Sequence, residues 1–172
     1  MEVLFISENY LKENTNLSSN IDVKLLKPSI IKAQDLFIEN FIGKTITLEL
    51  KNGIINNNLT NIQKDLLNLI KKAQAEFTCF LAYPDLMFRF MNKAITNPNV
   101  ENGSNINKED LIYIRDISRN QGEFYLNIVK TFLKDNKTYF PSFSENCTEK
   151  QAFKFPIEFD DYSKKSTDYF KF

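Results

Sequence analysis

Apolar positions recur along this chain mostly at three- and four-residue spacing, which predicts a run of helices separated by polar turns. "SENYLKEN", Ser7 to Asn14, reads as a short helix capped by Ser7. After the polar "TNLSSN", Asp22 is placed to cap a short turn, "DVKLL". Pro28 suits a first helical position, where its missing N–H leaves no bond unmade. Ile30, Ala33, Phe37 and Phe41, with Ile31, Ile38 and Ile42 beside them, share a broad helical face. Gly43 stands where a stop residue belongs, so the expected helix covers about 28–42. "KTITLELKNG" is ambiguous. Ile46, Leu48 and Leu50 alternate, which favours a strand, with a short helix as the second reading. "NGIINNN" then supplies turn chemistry.

A long helix follows from Thr60. Leu59, Ile62, Leu66, Leu69, Ile70, Ala73, Phe77, Phe80 and Leu81 form its stripe, and Lys64, Lys71 and Lys72 fall off it. Pro84 is read as restarting a helix over "PDLMFRFMNKAI", with Asp85 in its first turn. Thr96 to Asn107 is the strongest turn region, either a plain loop or the tip of a β-hairpin. Asn107 is placed to cap a second long helix with Glu109 and Asp110 in its first turn, ending near Asn136. Its expected stripe is Leu111, Ile114, Phe124, Tyr125, Ile128, Phe132 and Leu133. Gly122 costs about 1 kcal/mol inside a helix, which points to a close helix crossing.

From Tyr139 the helical period stops. Phe153, Phe155, Ile157 and Phe159 alternate with Lys154, Pro156 and Glu158. Together with Tyr162, Tyr169, Phe170 and Phe172 they are the candidate partner-binding residues. Ordering twenty such residues costs roughly 20–40 kcal/mol in backbone entropy. Burying seven aromatics and one isoleucine returns roughly 12–24 kcal/mol. The segment therefore needs a ready-made surface, on its own helical body or on another subunit. Strand addition to a neighbour is the natural mode for it.

Composition narrows the function classes. The chain has 172 residues, enough for one domain with an extended arm, and 42% of them are hydrophobic, enough for a core. Lys plus Arg equals Asp plus Glu at 22 each, so the charge is neutral and no basic excess points to a bulk polyanion partner. Arg89, Arg115 and Arg119 are the three arginines. The last two, four apart, could contact DNA, but more commonly such a pair is a solvated helix face. Cys79 lies in the apolar "EFTCFLAY" and reads as a small core residue, while Cys147 lies in a polar stretch. Neither belongs to a C-x-x-C pair, which fits a reducing compartment. The N-terminus carries no secretory pattern, and no apolar run approaches membrane-spanning length. The glycosylation-type triplets "NLS", "NLT", "NKT" and "NCT" are read as chance in an Asn-rich chain.

The chemistry of common active sites is missing from the composition. There is no histidine, hence no His-based triad and no usual imidazole base or ligand. No glycine-rich phosphate loop or zinc-type spacing occurs. The carboxylate pairs Glu109–Asp110 and Asp160–Asp161 are accounted for by helix capping and solvation. No catalytic, cofactor-binding or metal residue is expected, and no cofactor.

One further pattern stands out. Ile6, Ser7, Asn20, Asp22, Lys24, Leu26, Pro28, Ile30, Ala33 and Gln34 form an "I-S-…-N-x-D-x-K-x-L-x-P-x-I-x-x-A-Q" series. With "MNKAIT" (Met91 to Thr96) and "NKTYFPSF" (Asn136 to Phe143), it resembles the head-to-tail connector proteins of tailed bacteriophages, in particular the crAss-like variety. The match covers about residues 5 to 143, and "TITLEL" departs from the helix usual at that place. The expected fold is mainly α: a bundle of four to five helices over 1–143 with, as the resemblance implies, a small β-hairpin insertion at about 91–106, and, from the tail's own alternation, an extended C-terminal arm over 144–172. The resemblance implies a non-enzymatic virion protein, assembled in the host cytoplasm and placed at the neck. There a homo-oligomeric ring, usually of twelve, would sit below the portal protein, extend the DNA channel and receive downstream tail proteins. DNA would pass through without sequence-specific binding, and no membrane is involved. The competing expectation is a monomeric helical module whose aromatic tail docks a partner.

Overall fold

The computed structural model describes residues 3–18, 20–87, 89–91, 94–96 and 108–143, and the protein is mainly helical. The first helix, α1 (Glu8–Asn14), begins where expected. The Ser7 hydroxyl accepts the Tyr10 N–H at 3.2 Å, and Leu11 is fully buried.

The second helix starts a turn earlier than the expected 28–42. α2 (Val23–Ala33) is capped by Asp22, whose Oδ1 accepts the Lys24 N–H at 2.9 Å. A capping carboxylate supplies a hydrogen bond that Pro28 cannot, so Asp22 sets the start and Pro28 lies inside. The carbonyl Pro28 leaves without its helical donor is that of Lys24, in the exposed first turn. The rod then passes through a π-helical segment, Gln34–Glu39, into α3 (Asn40–Ile42). In a π turn, residues five apart come together. Here the Gln34 Nε2 donates to Glu39 Oε1 at 3.0 Å, and Glu39 pairs with Lys51.

Gly43 ends the rod at φ 85°, ψ 157°, a region essentially open only to glycine. It also starts the next helix at once, since its carbonyl accepts the Thr47 N–H at 3.1 Å and the Thr47 hydroxyl at 2.9 Å. That helix, α4 (Lys44–Ile55), replaces the strand favoured from the alternation. Ile46 and Leu50 are buried four apart, whereas Leu48 between them is 49% exposed. Three alternating residues fit both periods; the site to be filled on the core selects the helical one. The turn falls within the expected "NGIINNN", at Asn57 with φ 50°, while Gly53 still packs under the Leu59 side chain inside the helix.

α5 (Asn61–Met87) is the central element, with α6 (Lys108–Asp135) along one side and α2 along another. A reciprocal cap starts it: the Gln63 N–H donates to the Thr60 hydroxyl at 3.3 Å, and the Thr60 N–H donates to Gln63 Oε1 at 3.0 Å. Pro84 does not restart a helix as expected; α5 runs through it to Met87. Beyond it, Arg89–Met91 (β1) and Ala94–Thr96 (β2) pair antiparallel, Phe90 opposite Ile95, where a helix was expected. The rest of the expected insertion at about 91–106, and the Asn107 cap, lie outside the described residues.

Two apolar clusters flank α5. The larger joins Ile38, Ile46, Leu50, Leu66, Ile70, Phe77, Val129 and Leu133, and is closed by Phe140 and Phe143. The smaller joins Ile6, Leu11, Leu26, Ile30, Cys79 and Ala82. Cys79 is buried, as its apolar surroundings predict, and burial pushes its thiol pKa up to about 11, partly offset by Thr15. Such a thiol stays protonated and unreactive at neutral pH.

Candidate interaction surface

The eight candidate partner-binding residues, Phe153, Phe155, Ile157, Phe159, Tyr162, Tyr169, Phe170 and Phe172, lie outside the described residues, as do Asp160–Asp161 and Cys147. Glu109 and Asp110 occupy the exposed first turn of α6, where the macrodipole favours them. Among the described residues, no group of three or more Asp, Glu, Cys or His could hold a metal ion. No described helix is long and apolar enough to cross a membrane. An open groove of 480 Å³ runs along Leu4–Glu8, with the Lys71 Nζ 5.9 Å above the Tyr10 ring.

The α5–α6 seam is built around Gly122. A Cβ there would lie 2.9–3.0 Å from the Phe77 ring, so glycine is what lets α6 approach. Phe77 in turn stacks face to face on Phe37, with centroids 4.2 Å apart. The close crossing expected from Gly122 is thus present.

Arg115 and Arg119 do not form the solvated pair expected of them. Arg119 does bridge to Glu123 at 3.0 Å on the surface. Arg115 turns inward: its guanidinium lies 4.5 Å from the Phe80 ring centroid, and its Nε donates to the Phe80 carbonyl at 3.3 Å. Burial lowers its pKa, offset in part by Asp116. The Phe80 carbonyl is the one whose helical donor, four residues on, would be the N–H that Pro84 lacks. Arg115 supplies a donor from the neighbouring helix, which explains how α5 continues through the proline. A double-mutant cycle tests this. Arg115→Met is expected to lower stability by about 1–2 kcal/mol in the native background, and by about 1 kcal/mol less when Pro84→Ala has restored the N–H. Equal losses by urea unfolding in both backgrounds would remove the coupling.

Close by, Glu76 is half-buried and its carboxyl pKa is raised by desolvation, with the Ser118 hydroxyl pulling it partly back. Its folded pKa exceeds its unfolded one. Its stabilising contribution is therefore full below the unfolded value and lost as pH rises through the folded value. Glu76→Gln is expected to raise the melting temperature at pH 8 and to flatten the dependence between pH 4 and 8. A variant melting below the native protein at pH 8 contradicts this.

The outer surface of α6 was not legible in the apolar stripe. Ser118, Gly122, Val129 and Leu133 form its buried line, and Leu111, Ile114, Tyr125 and Phe132 are half-buried. Phe124 and Ile128, expected in the core, are 62% and 36% exposed, beside Tyr113 at 68% and Ile117 at 39%. The small residues at the crossing rotate the helix so that its bulkier apolar residues face outward. At 3.6 residues per turn, Tyr113, Ile117, Phe124 and Ile128 share one flank with the exposed amides Asn120 and Gln121. Asp116, Arg119, Glu123, Lys130 and Lys134 fall on the opposite flank. Between Tyr113 and Thr131 the apolar flank carries no charge. Aromatic, charge-poor surface of this kind is what the core of a protein–protein interface is made of.

The model of DUF6712, a family of unknown function, matches residues 25–152. The chain belongs to this family. The DUF6712 match takes in all of α4, α5 and α6, and therefore the whole charge-free flank. No curated protein and no solved structure matches the chain.

Proposed function

We propose that this DUF6712 chain is a structural virion subunit: a head-to-tail adaptor that assembles as a ring, of about twelve copies by the resemblance, below a phage portal. It works by shape rather than catalysis, links the portal to downstream tail proteins, and extends a channel through which DNA slides. The single observation that carries the reading is the charge-free aromatic flank of α6, a surface made for burial on a chain with a fully formed core of its own. The residues that carry the connector resemblance support it from another side. Ser7 and Asp22 cap helices, Ile6, Leu26, Ile30 and Ala33 are buried, and Gln34 ties the N-terminal segment to the rod. They form a scaffold that holds one rod in place, as a repeated ring subunit needs. In this reading the β1–β2 pair belongs to a hairpin insertion at about 91–106. Residues 144–172 form an arm whose aromatics grip the portal or a neighbouring subunit. A neutral chain also suits a lumen that must not hold DNA.

Removing Phe153–Phe172 tests the arm. The truncated chain is expected to keep its helical signal and to be lost from assembled particles. Normal incorporation refutes the arm, and a full-length chain that never forms a large species, alone or with portal protein, refutes the ring. The same truncation losing one cellular partner without any effect on particles would favour the monomeric docking module.

A further inference from the structure

We infer that the charge-free flank of α6 on one copy packs, antiparallel, against the exposed row of α4 on a second copy, with Asp135 facing Lys44. The inference rests on the ring reading and names the contact that would close it.

The α4 row consists of Lys44, Leu48, Asn52 and Ile55, and it is another exposed helical face carrying large apolar side chains: Leu48 is 49% and Ile55 64% exposed. The α6 flank ends in Asp135, at the helix C-terminus, on the same side as Ile117 and Phe124. From Lys44, Leu48 lies four residues along and Ile55 eleven, about 6 and 16 Å at the helical rise. Counting four and eleven back from Asp135 reaches Thr131 and Phe124. The register that pairs the two charges therefore also sets Ile55 against Phe124 and Leu48 against Thr131, a turn away from Ile128. An apolar row with a cation at one end meets an apolar row with an anion at the matching end.

With an aromatic side chain offering about 150–250 Å², the exposed fractions of Tyr113, Ile117, Phe124 and Ile128 amount to about 400 Å². A stable contact needs about 800 Å² from each partner. The exposed apolar area supplies about half of such a contact, and the polar rim has to supply the rest. The amides Asn120, Gln121 and Asn127 around the flank supply polar rim. Two different faces on one chain make a heterologous contact, which repeats from copy to copy and closes as a ring when the rotation allows. A contact of α6 with α6 would instead stop at a dimer and leave Leu48 and Ile55 in water.

The test uses full-length protein in sedimentation-velocity runs, with circular dichroism confirming that each variant is folded. Every substitution is at an exposed position. Phe124→Lys and Leu48→Lys, with Ile55→Lys as a second α4 variant, are each expected to weaken self-association at least about 30-fold, the range of an interface hot spot. Mixed one to one, Phe124→Lys and Leu48→Lys copies retain one good face each and are expected to form a dimer and nothing larger. Lys44→Asp is expected to weaken assembly, and adding Asp135→Lys in the same chain to restore it. Leu48→Lys associating like the native chain, or a mixture that stays monomeric, overturns the inference while leaving the ring reading intact. A native chain that is monomeric at every concentration, even with portal protein, overturns both.

Discussion

Phe77→Ala is expected to lower the unfolding free energy by about 3–5 kcal/mol, the largest effect of any single truncation here. Phe77 is 2% exposed and is held on both faces of the α5–α6 seam: by the Phe37 ring stacked at 4.2 Å on one side and by Gly122 on the other. Removing the ring deletes buried apolar surface, the stacking partner and the knob that fills the glycine notch. Neighbours cannot all collapse into the gap, because Phe37 sits on the rod and Gly122 on α6. Phe77→Leu is expected to lose less, and denaturant unfolding ranks the two. The notch supplies an internal check. Gly122→Ala in the native background places a methyl 2.9 Å from the ring and is expected to destabilise, despite the better helix propensity of alanine. In the Phe77→Ala background the same change is expected to be neutral or stabilising. Losses that simply add would mean the two residues do not meet.

The second large effect is expected at Gln34. Its Oε1 accepts the buried Phe5 N–H at 2.8 Å and the Gln74 Nε2 at 3.3 Å, while its Nε2 donates to the Val3 carbonyl at 3.0 Å and to Glu39. Gln34 is itself 1% exposed. Gln34→Leu keeps the volume but leaves the Phe5 N–H and the Gln74 amide without this partner in a buried site. The expected loss is about 2–4 kcal/mol, since orphaned buried polar groups lose their full solvation. Hydrogen exchange locates the effect: the Phe5 amide is expected to lose protection before the α5 core does. Gln34→Glu separates hydrogen bonding from shape. It keeps an acceptor for Phe5 but sets a carboxylate against Glu39, so its loss is expected to shrink on acidification. Unchanged protection at Phe5 in Gln34→Leu would show that the N-terminal segment is held by Phe5 and Ile6 packing alone.

The two sites also divide what could be read from residues from what could not. Local chemistry was legible. Ser7 announces a helix start because its side chain bonds an N–H three residues on, Asp22 announces a cap though only a short turn was expected behind it, and Gly43 announces a stop because only glycine takes its φ and ψ easily. Gly122 announces a crossing, since glycine has no favourable reason to sit in a helix interior unless something needs the space. The central stripe from Ile62 to Phe80 is long enough for its period to be unambiguous. These features lie within a turn or two of their cause.

The rest depends on partners far along the chain. Whether "TITLEL" is a strand or a helix turns on which face the Ile38–Leu66 core accepts, and three alternating residues do not carry that. Pro84 breaks helices by rule; α5 passes through it because Arg115, thirty-one residues later, donates the hydrogen bond the proline cannot. The π segment is anchored through Gln34 to Val3 and Phe5, about thirty residues earlier. Phe124 and Ile128 point outward because Phe77, on another helix, fits only against Gly122 and so sets the rotation of α6. By itself, then, the sequence determined a mainly helical chain, its caps, its stop and its point of closest crossing, because short-range hydrogen bonding and backbone sterics are encoded residue by residue. Only the tertiary structure decided which side of α6 stays exposed, because that choice is made by volume, and volume is shared between residues the chain brings together only once it has folded.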